Sequence, residues 1–369
     1  MKYLIIDDLA EKGWKSVIEC AVIKEKNSLE VAIDFEDAIK KLDKKWDLIF
    51  LDMRLSEVDH TNLAVNEYSG FKILKKIKES FTAPNFSTPV ILITASNKIW
   101  NIGNFQENGI DGYYIKEHPD FHFSEQYSKE NLENLQTSFK NNLQIGNKRK
   151  EVWVRCNAIL SSLNKHKYFN IQDSRYQNIK FRIEDKIKLG YNQLFKKQSY
   201  LEREVLLADN ESLSFIIFWS ILEEISKGFT DIKETWNDIF ERKSNWKFRN
   251  NEYFIEYNHD KSNYQVNYDP KTKSKNFISE DSRYGSNMIN LSEQIYALLH
   301  AYFSGQTLNQ LKDDFREINR FRNEVDFIHS SINNLVKKKL IEVKQSKQCY
   351  EMNIRVLDFL LKILSQPIK

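Results

Sequence analysis

Several short apolar segments of the chain end in residues that can bind a cation or a phosphate group. The acids Asp7 and Asp8 follow YLII, and Asp52 follows LIFL. Thr94 ends the run VILIT, and Lys116 follows GYYI. Carboxylate oxygens are preferred ligands of Mg²⁺, whereas hydroxyl and ammonium groups stabilise the oxygens of a transferred phosphoryl group. If the fold brings these segments together, the five residues form a magnesium-dependent site for phosphoryl transfer.

The elements that must position these residues alternate regularly in the first part of the chain. Strand-like apolar runs are separated by helical patterns such as AEKGWKSVIECAV and GFKILKKIKES. This alternation predicts an α/β fold with a doubly wound, parallel, five-stranded sheet and helices on both faces. Because open sheets of this kind bind ligands at the carboxyl ends of their strands, we expect the polar residues above to meet at one edge.

The acid pair, together with the segments LDMRL, ITAS and GIDGYYIK, resembles the receiver domain of bacterial response regulators. The resemblance covers residues 1–145 and implies a receiver (CheY-like) fold. It also implies that a sensor histidine kinase transfers a phosphoryl group to the chain, with Mg²⁺ as the cofactor. The roles it implies are Asp52 as phosphoacceptor, Asp7, Asp8, Asp52 and the backbone carbonyl of Arg54 as the metal site, and Thr94, Lys116 and Tyr113 as the phosphoryl-binding and switch residues.

The chain departs from the receiver pattern next to the expected phosphoacceptor. Ser56 and Glu117 stand where the family usually has proline, and Pro119 follows two residues later. The segment 56–69 makes the distance in sequence from Asp52 to Gly70 roughly ten residues longer than is usual. Long loops beside a reactive group are often functional. We therefore expect this segment to gate access to the site or to contact a partner.

The composition excludes several other classes of protein. The 369 residues contain 55 basic and 52 acidic side chains, so no global positive charge indicates nucleic-acid binding. Three widely spaced cysteines indicate free thiols in a reducing compartment. The start MKYLIIDD is not typical of a secretory signal, and the apolar run from Ser214 is too short and polar to span a bilayer. These features predict a cytoplasmic protein that does not bind membranes.

A middle region over residues 146–287 is predicted to be mainly helical. The segment from Ser214 is expected to be a buried helix, and the aromatic-rich residues 246–269 predict antiparallel strands. The polar residues 270–287 are the best candidate for a linker. No motif assigns a function to this region.

The last region, residues 288–369, resembles a winged helix-turn-helix domain. Two helices are predicted over 291–303 and 307–318, followed by a third over 325–336 and a hairpin over 340–354. This resemblance implies that the third helix enters the major groove of duplex DNA while lysines bind phosphates. The residues expected to do so are His329, Ser330, Asn333, Asn334, Lys337, Lys338, Lys344 and Lys347. Asp326 on the same helix opposes this role, since it repels phosphate.

Two alternatives for the output stay open at this stage. The C-terminal region could bind proteins instead of DNA. Alternatively, Arg322-Asn323 and His329 match the loose Arg-Asn…His pattern of HEPN-type ribonucleases. Our interpretation is a homodimeric two-component response regulator that controls transcription. We expect it to be no enzyme beyond its own phosphorylation and dephosphorylation.

Overall fold

The structure is a computed structural model of the chain, and it divides into two compact units, Met1–Trp153 and Val154–Lys369. The residues that it describes are 1–24, 28–56, 59, 63–95, 99–116, 125–165, 174–196, 210–229, 231–234, 244–248, 251–260, 263–268, 291–292, 295, 299, 303, 305–324 and 335–365.

The first unit consists of a five-stranded sheet with helices around it. Its elements, in chain order, are β1 (Tyr3–Ile6), α1 (Trp14–Val17), β2 (Leu29–Ala32), α2 (Phe35–Lys41), β3 (Leu48–Asp52), α3 (Ser69–Lys78), β4 (Val90–Thr94), α4 (Ile99–Glu107), β5 (Gly112–Ile115) and α5 (Glu125–Lys165). α1 continues as a π-helical stretch, Ile18–Ile23, and α5 extends beyond this unit into the second.

All five strands are parallel, in the order β2-β1-β3-β4-β5. β1 and β3 are in the centre and are buried on both faces, which explains their uninterrupted apolar sequences. The register aligns Ile6 with Leu51 and Asp52 with Ile93, so β1, β3 and β4 end at similar heights. The predicted five-stranded parallel sheet is therefore confirmed.

The sheet has a hydrophobic core on each face, as a doubly wound fold requires. One face packs against α2, α3 and α4, with Phe71 and Phe105 in edge-to-face contact at 5.2 Å between ring centroids. The other face packs against α1 and the first half of α5. There, Phe139 of α5 stacks on Phe50 of β3 at 6.1 Å and meets the edge of Tyr3 at 5.5 Å.

The second unit is mainly helical and includes the C-terminal part of α5. Its further elements are α6 (Ser174–Leu194), α7 (Asn210–Phe229), β6 (Asp231–Glu234), β7 (Ser244–Phe248), β8 (Asn251–Asp260), β9 (Asn263–Tyr268), α8 (Gly305–Glu324) and α9 (Leu335–Leu364). The four strands form an antiparallel sheet in the order β6-β7-β8-β9, which confirms the predicted antiparallel strands. α7 contains the apolar run from Ser214 as a buried helix, also as predicted.

Close helix packing forms the core of the second unit. Gly190 of α6 lies so near the ring of Phe218 in α7 that a β-carbon on Gly190 would overlap it. Glu224 of α7 is buried and forms ion pairs with Arg182 at 2.8 Å and Lys186 at 3.0 Å, both on α6. Burial by itself would raise the pKa of Glu224, but the hydrogen bonds and charges of these two cations lower it. The Glu224 carboxylate therefore stays ionised and joins α6 to α7.

The predicted hairpin over 340–354 is wrong, because these residues lie within the single helix α9. The buried residues of its C-terminal half recur at helical spacing: Cys349, Met352, Val356, Leu360 and Ile363. The proposed turn QSKQ has Ser346 as its only turn-favouring residue and contains no glycine, proline, asparagine or aspartate. Without the hairpin, the described residues form no wing, and the winged-helix prediction is corrected accordingly.

The remaining C-terminal predictions have mixed outcomes. The helix predicted over 307–318 is confirmed by α8, and the described residues Leu291, Ser292, Ile295 and Leu299 are helical. Of the proposed recognition helix, 325–336, residues 325–334 lie outside the described residues and the last two belong to α9; the linker 270–287 also lies outside the described residues. The boundary predicted at residue 145 falls inside α5, and the three-domain division stays a prediction. Among the described residues, no helix combines the length and apolar character needed to cross a bilayer.

The packing of α5 on the sheet yields a first prediction. Replacing Phe139 with alanine removes the ring that contacts Tyr3 and Phe50, and should lower the free energy of unfolding by about 3–5 kcal/mol. The same substitution at the exposed Phe181 of α6 is the control and should change stability by less than about 0.5 kcal/mol. Urea denaturation followed by circular dichroism measures both. Equal effects of the two substitutions would contradict the described packing.

Candidate functional site

Three carboxylates meet at the carboxyl edge of the parallel sheet. Asp7 and Asp8 directly follow β1, and Asp52 is the last residue of β3. One oxygen from each of the three side chains lies within 4.8 Å of the others. Asp7 is fully buried, Asp52 is 9% exposed and Asp8 is exposed to solvent. The site is therefore deep on one side and open on the other.

Lys116 joins two of these carboxylates. Its Nζ lies 2.6 Å from Oδ2 of Asp7 and 2.6 Å from Oδ2 of Asp52. The side chain is nearly buried, and its backbone N–H donates to the carbonyl of Thr94 at 2.7 Å. That hydrogen bond extends the β4–β5 pairing by one residue, so the sheet itself fixes the start of the lysine side chain. The lysine and the three carboxylates together carry a net negative charge when all are ionised.

The other oxygens of the buried carboxylates accept backbone hydrogen bonds. Oδ1 of Asp7 accepts from the N–H of Leu9 at 2.9 Å, and Oδ1 of Asp52 accepts from the N–H of Met53 at 2.6 Å. Hydrogen bonds of this kind hold each carboxylate in one orientation. The two Oδ2 atoms consequently point toward the same cation, the Lys116 ammonium.

Burial raises the pKa of Asp52 to about 6, with the negative charge of Asp7 acting in the same direction and the Lys116 ammonium opposing it. For Lys116 itself, burial would lower the pKa, but the charges of Asp52 and Asp7 raise it overall. Near neutral pH the lysine is therefore charged and Asp52 is ionised. An ionised carboxylate in a largely buried site is a competent nucleophile.

The donor set fits a magnesium ion. Asp7, Asp8 and Asp52 supply only oxygen ligands, and they lie close enough to share one cation. Asp8 connects them to solvent, from which Mg²⁺ would enter with part of its water shell. Arg54, whose carbonyl the receiver resemblance assigns to the metal, lies two residues after Asp52, and its guanidinium donates to the hydroxyl of Tyr68 at 3.1 Å.

The two expected switch residues occupy different environments. Thr94 is buried at the end of β4, beside β5, whereas Tyr113 is half exposed on β5, the edge strand. Tyr113 therefore lies where a change in its side-chain orientation would alter the surface of the first unit. The expected DNA-contacting residues fall outside this region: His329, Ser330, Asn333 and Asn334 are outside the described residues, and Lys337, Lys338, Lys344 and Lys347 lie within the range of α9.

Trp14 belongs to the site, although no motif in the sequence indicated it. Its indole ring lies 5.6 Å from the Lys116 ammonium, and its edge packs against Tyr114 of β5 at 5.9 Å between ring centroids. Contact with an aromatic face favours a desolvated ammonium group. Trp14 therefore adds to the interactions that keep Lys116 charged in its buried position. Its place shortly after β1 is the only sequence signal that could have suggested this role.

Gly70 brings α3 against the strand that ends in Asp52. Its N–H donates to the Met53 carbonyl at 3.3 Å, and a β-carbon on Gly70 would overlap the carbonyl oxygen of Asp52. Only glycine allows this approach without movement of β3 or α3. The position fixes how closely the first turn of α3 approaches the segment that follows Asp52.

No protein-family model matches the chain, and no curated protein matches it significantly. The solved structures similar to it include response regulator receiver domains, which match its N-terminal part. A receiver domain from Methanospirillum hungatei is 18% identical, with 38% of this chain and 97% of that chain covered and a TM-score of 0.27. The receiver domain of NtrX from Brucella abortus is 19% identical, with 39% of this chain and 98% of that chain covered and a TM-score of 0.28. A two-component response regulator from Clostridium difficile is 29% identical, with 35% of this chain and 92% of that chain covered and a TM-score of 0.25.

The raised pKa of Asp52 predicts a specific pH dependence of stability without divalent cations. A carboxyl group whose pKa rises from 3.8 to about 6 on folding binds its proton more tightly in the folded state. The contribution of Asp52 to the free energy of unfolding is fully present below the pKa of the unfolded state and is lost as pH rises through about 6. Between about pH 4 and about pH 7, the free energy of unfolding of wild type should therefore fall by roughly 3 kcal/mol relative to that of Asp52→Asn.

Asp47, the residue directly before the start of β3, is the control for this measurement. Hydrogen bonds from the Lys2 N–H and the Lys150 ammonium lower its pKa, although burial acts in the opposite direction. Wild type should therefore gain stability relative to Asp47→Asn as pH rises. Urea unfolding in EDTA measures both series, and slopes of the same sign would contradict the described environments.

Gly70 yields a prediction that concerns the backbone near Asp52. Gly70→Ala should destabilise the first unit by about 2 kcal/mol or more, because the added methyl group meets backbone that cannot turn away. Gly103 in α4 is the control, since a β-carbon there would have no atom within 4 Å beyond its chain neighbours and the nearby backbone of its own helix. Gly103→Ala should be neutral or stabilising by up to about 1 kcal/mol. Thermal unfolding of the two variants decides the matter.

Proposed function

We propose that the chain is a two-component response regulator whose first unit accepts a phosphoryl group on Asp52. The observation that supports this most strongly is the arrangement of Asp7, Asp52 and Lys116, with both carboxylates 2.6 Å from one buried ammonium. Asp8 completes a cluster with the oxygen ligands and charge that suit Mg²⁺. The proposed phosphodonor is the phosphohistidine of a sensor histidine kinase.

In the proposed reaction, a carboxylate oxygen of Asp52 attacks the phosphorus of the donor. An O–P bond forms, the P–N bond breaks, and its electron pair stays on the imidazole nitrogen, which takes a proton from solvent. Bound Mg²⁺, held by Asp7, Asp8, Asp52 and the Arg54 carbonyl, would supply positive charge to the phosphoryl oxygens. Lys116 keeps its ammonium beside the reacting carboxylate throughout, and Thr94 ends the adjacent strand with a hydroxyl suited to a phosphoryl oxygen.

Phosphorylation would change the interactions of Lys116 and thereby the state of the first unit. Before the reaction, the ammonium is shared between Asp7 and Asp52. A phosphoryl group on Asp52 adds negative charge and acceptor oxygens at the same place, so Lys116 gains a new partner. Thr94 and Tyr113, on neighbouring strands, would pass this change to the surface at β5. We propose no enzymatic activity beyond this phosphorylation and its hydrolysis.

The proposed output of the regulator lies in its second unit. The DNA-binding prediction depends on a winged helix, but the residues expected to form its wing lie in helix α9. We therefore propose that the first unit controls the second, without assigning DNA as the ligand. The ribonuclease alternative needs Arg322 and His329 together. The guanidinium of Arg322 lies 4.8 Å from the ring of Trp219, and His329 is outside the described residues. Transcription control, protein contacts and a homodimer remain predictions from the sequence.

The proposed function is tested by incubating the full chain with Mg²⁺ and acetyl phosphate, followed by intact-mass spectrometry. Wild type should gain one phosphoryl group, whereas Asp52→Asn should gain none. Asp47→Asn, with the same change at the other end of β3, should label like wild type. Beryllofluoride provides a second probe of the same carboxylate. Labelling of Asp52→Asn, or no labelling of wild type with either reagent, would overturn the proposal.

A further inference from the structure

A further buried carboxylate, Asp59, lies in the long segment after the strand that ends in Asp52. Its side chain is 2% exposed. Oδ2 accepts a hydrogen bond from the N–H of Leu55 at 2.9 Å, and Oδ1 and Oδ2 share the N–H of Ser69 at 3.2 and 3.4 Å. A buried carboxylate is costly unless its oxygens are hydrogen-bonded, and both oxygens of Asp59 are used in this way.

Ser69 is the first residue of α3, and the residue before it provides no side-chain cap. The first N–H groups of a helix need acceptors from outside, and a negative charge there is favourable. Asp59 supplies both, although it lies ten residues before Ser69 in the sequence. The same carboxylate thus contacts the start of α3 and the chain just after β3.

The start of α3 is held to that chain a second time. The N–H of Gly70 donates to the Met53 carbonyl at 3.3 Å, and the missing side chain of Gly70 allows direct contact with the Asp52 carbonyl. Asp59, the first turn of α3 and residues 53–55 therefore form a closed set of hydrogen bonds. Arg54, whose carbonyl is assigned to the metal site, lies between two residues that this set fixes.

We propose that Asp59 is a positioning residue for the magnesium site. It holds the Met53–Leu55 segment so that the Arg54 carbonyl and the Asp52 carboxylate keep a fixed separation before a cation binds. This inference rests on the proposed function and adds a residue that contacts no reacting group. It also assigns a positioning role to the part of segment 56–69 that contacts Leu55 and α3, whereas its length led us to expect a gate or a partner contact.

The test compares Asp59→Asn with Glu67→Gln in the full chain. Glu67 is in the same segment, and its carboxylate accepts from the N–H of Ala64 at 2.9 Å, so both substitutions remove one carboxylate charge. Isothermal titration with Mg²⁺ alone should show a dissociation constant raised about 10- to 100-fold by Asp59→Asn. Glu67→Gln should bind Mg²⁺ like wild type.

Unfolding in EDTA separates positioning from a purely structural role. If Asp59 only stabilises α3, Asp59→Asn lowers the unfolding midpoint but binds Mg²⁺ with wild-type affinity, and the inference is overturned. Equal loss of affinity in the Glu67→Gln variant would overturn it as well. Absence of Mg²⁺ binding in all three proteins would reject the proposed function, and this inference with it, by a pattern that differs from both.

A measurement on wild type covers the case in which Asp59→Asn does not fold. Coupling between two sites is reciprocal, so Mg²⁺ should strengthen the hydrogen bonds that position its site. Amide hydrogen exchange at Leu55 and Ser69 should slow by more than that at Ala64 when Mg²⁺ is added. Equal slowing at all three amides would indicate general stabilisation only and would overturn the inference.

Discussion

The Lys116 ammonium shared by Asp7 and Asp52 imposes the main constraint on the first unit. Burying like charges within a few ångströms is unfavourable unless a cation lies between them. To place that cation, β1, β3 and β5 must end at the same edge of the sheet, and the hydrogen bond from Lys116 to Thr94 must continue the β4–β5 pairing. The apolar strands and the helices on both faces supply the rigidity that this arrangement needs.

Burial and charge act in opposite directions on the site. Desolvation favours a protonated Asp52, as its raised pKa records, whereas Lys116 favours the ionised form. Residues outside the carboxylate cluster also shape the site. Trp14 covers the ammonium, Gly70 admits α3, and Asp59 ties α3 to the segment after the strand. Each acts on the position or the solvation of a charged group.

The sequence predicted the parts of the fold that depend on short-range pattern. Apolar strands ending in Asp7, Asp52 and Thr94 indicated a parallel sheet, and the parallel geometry placed those ends together. The C-terminal region was harder, because LIEVK and CYEMNI are short segments of mixed apolar and polar residues that fit a strand or a helix equally well. Only burial at helical spacing over the longer stretch to Ile363 distinguishes α9 from a hairpin. Asp59 was missed because its partners, Leu55 and Ser69, are backbone groups that leave no trace in the sequence.

The hydrogen bonds that join Asp59 to Leu55 and Ser69, which together act as a clamp, affect how this region can vary among related chains. Since Asp59 and Ser69 are hydrogen-bonded to each other, the chain between them starts and ends at nearly the same point. The entropy of closing such a loop grows slowly with its length, by about 0.6 kcal/mol for each doubling. Insertions between these residues that leave the buried Tyr68 in place should therefore cost little folding free energy. The clamp separates the evolution of the inserted segment from that of the carboxylates beside it.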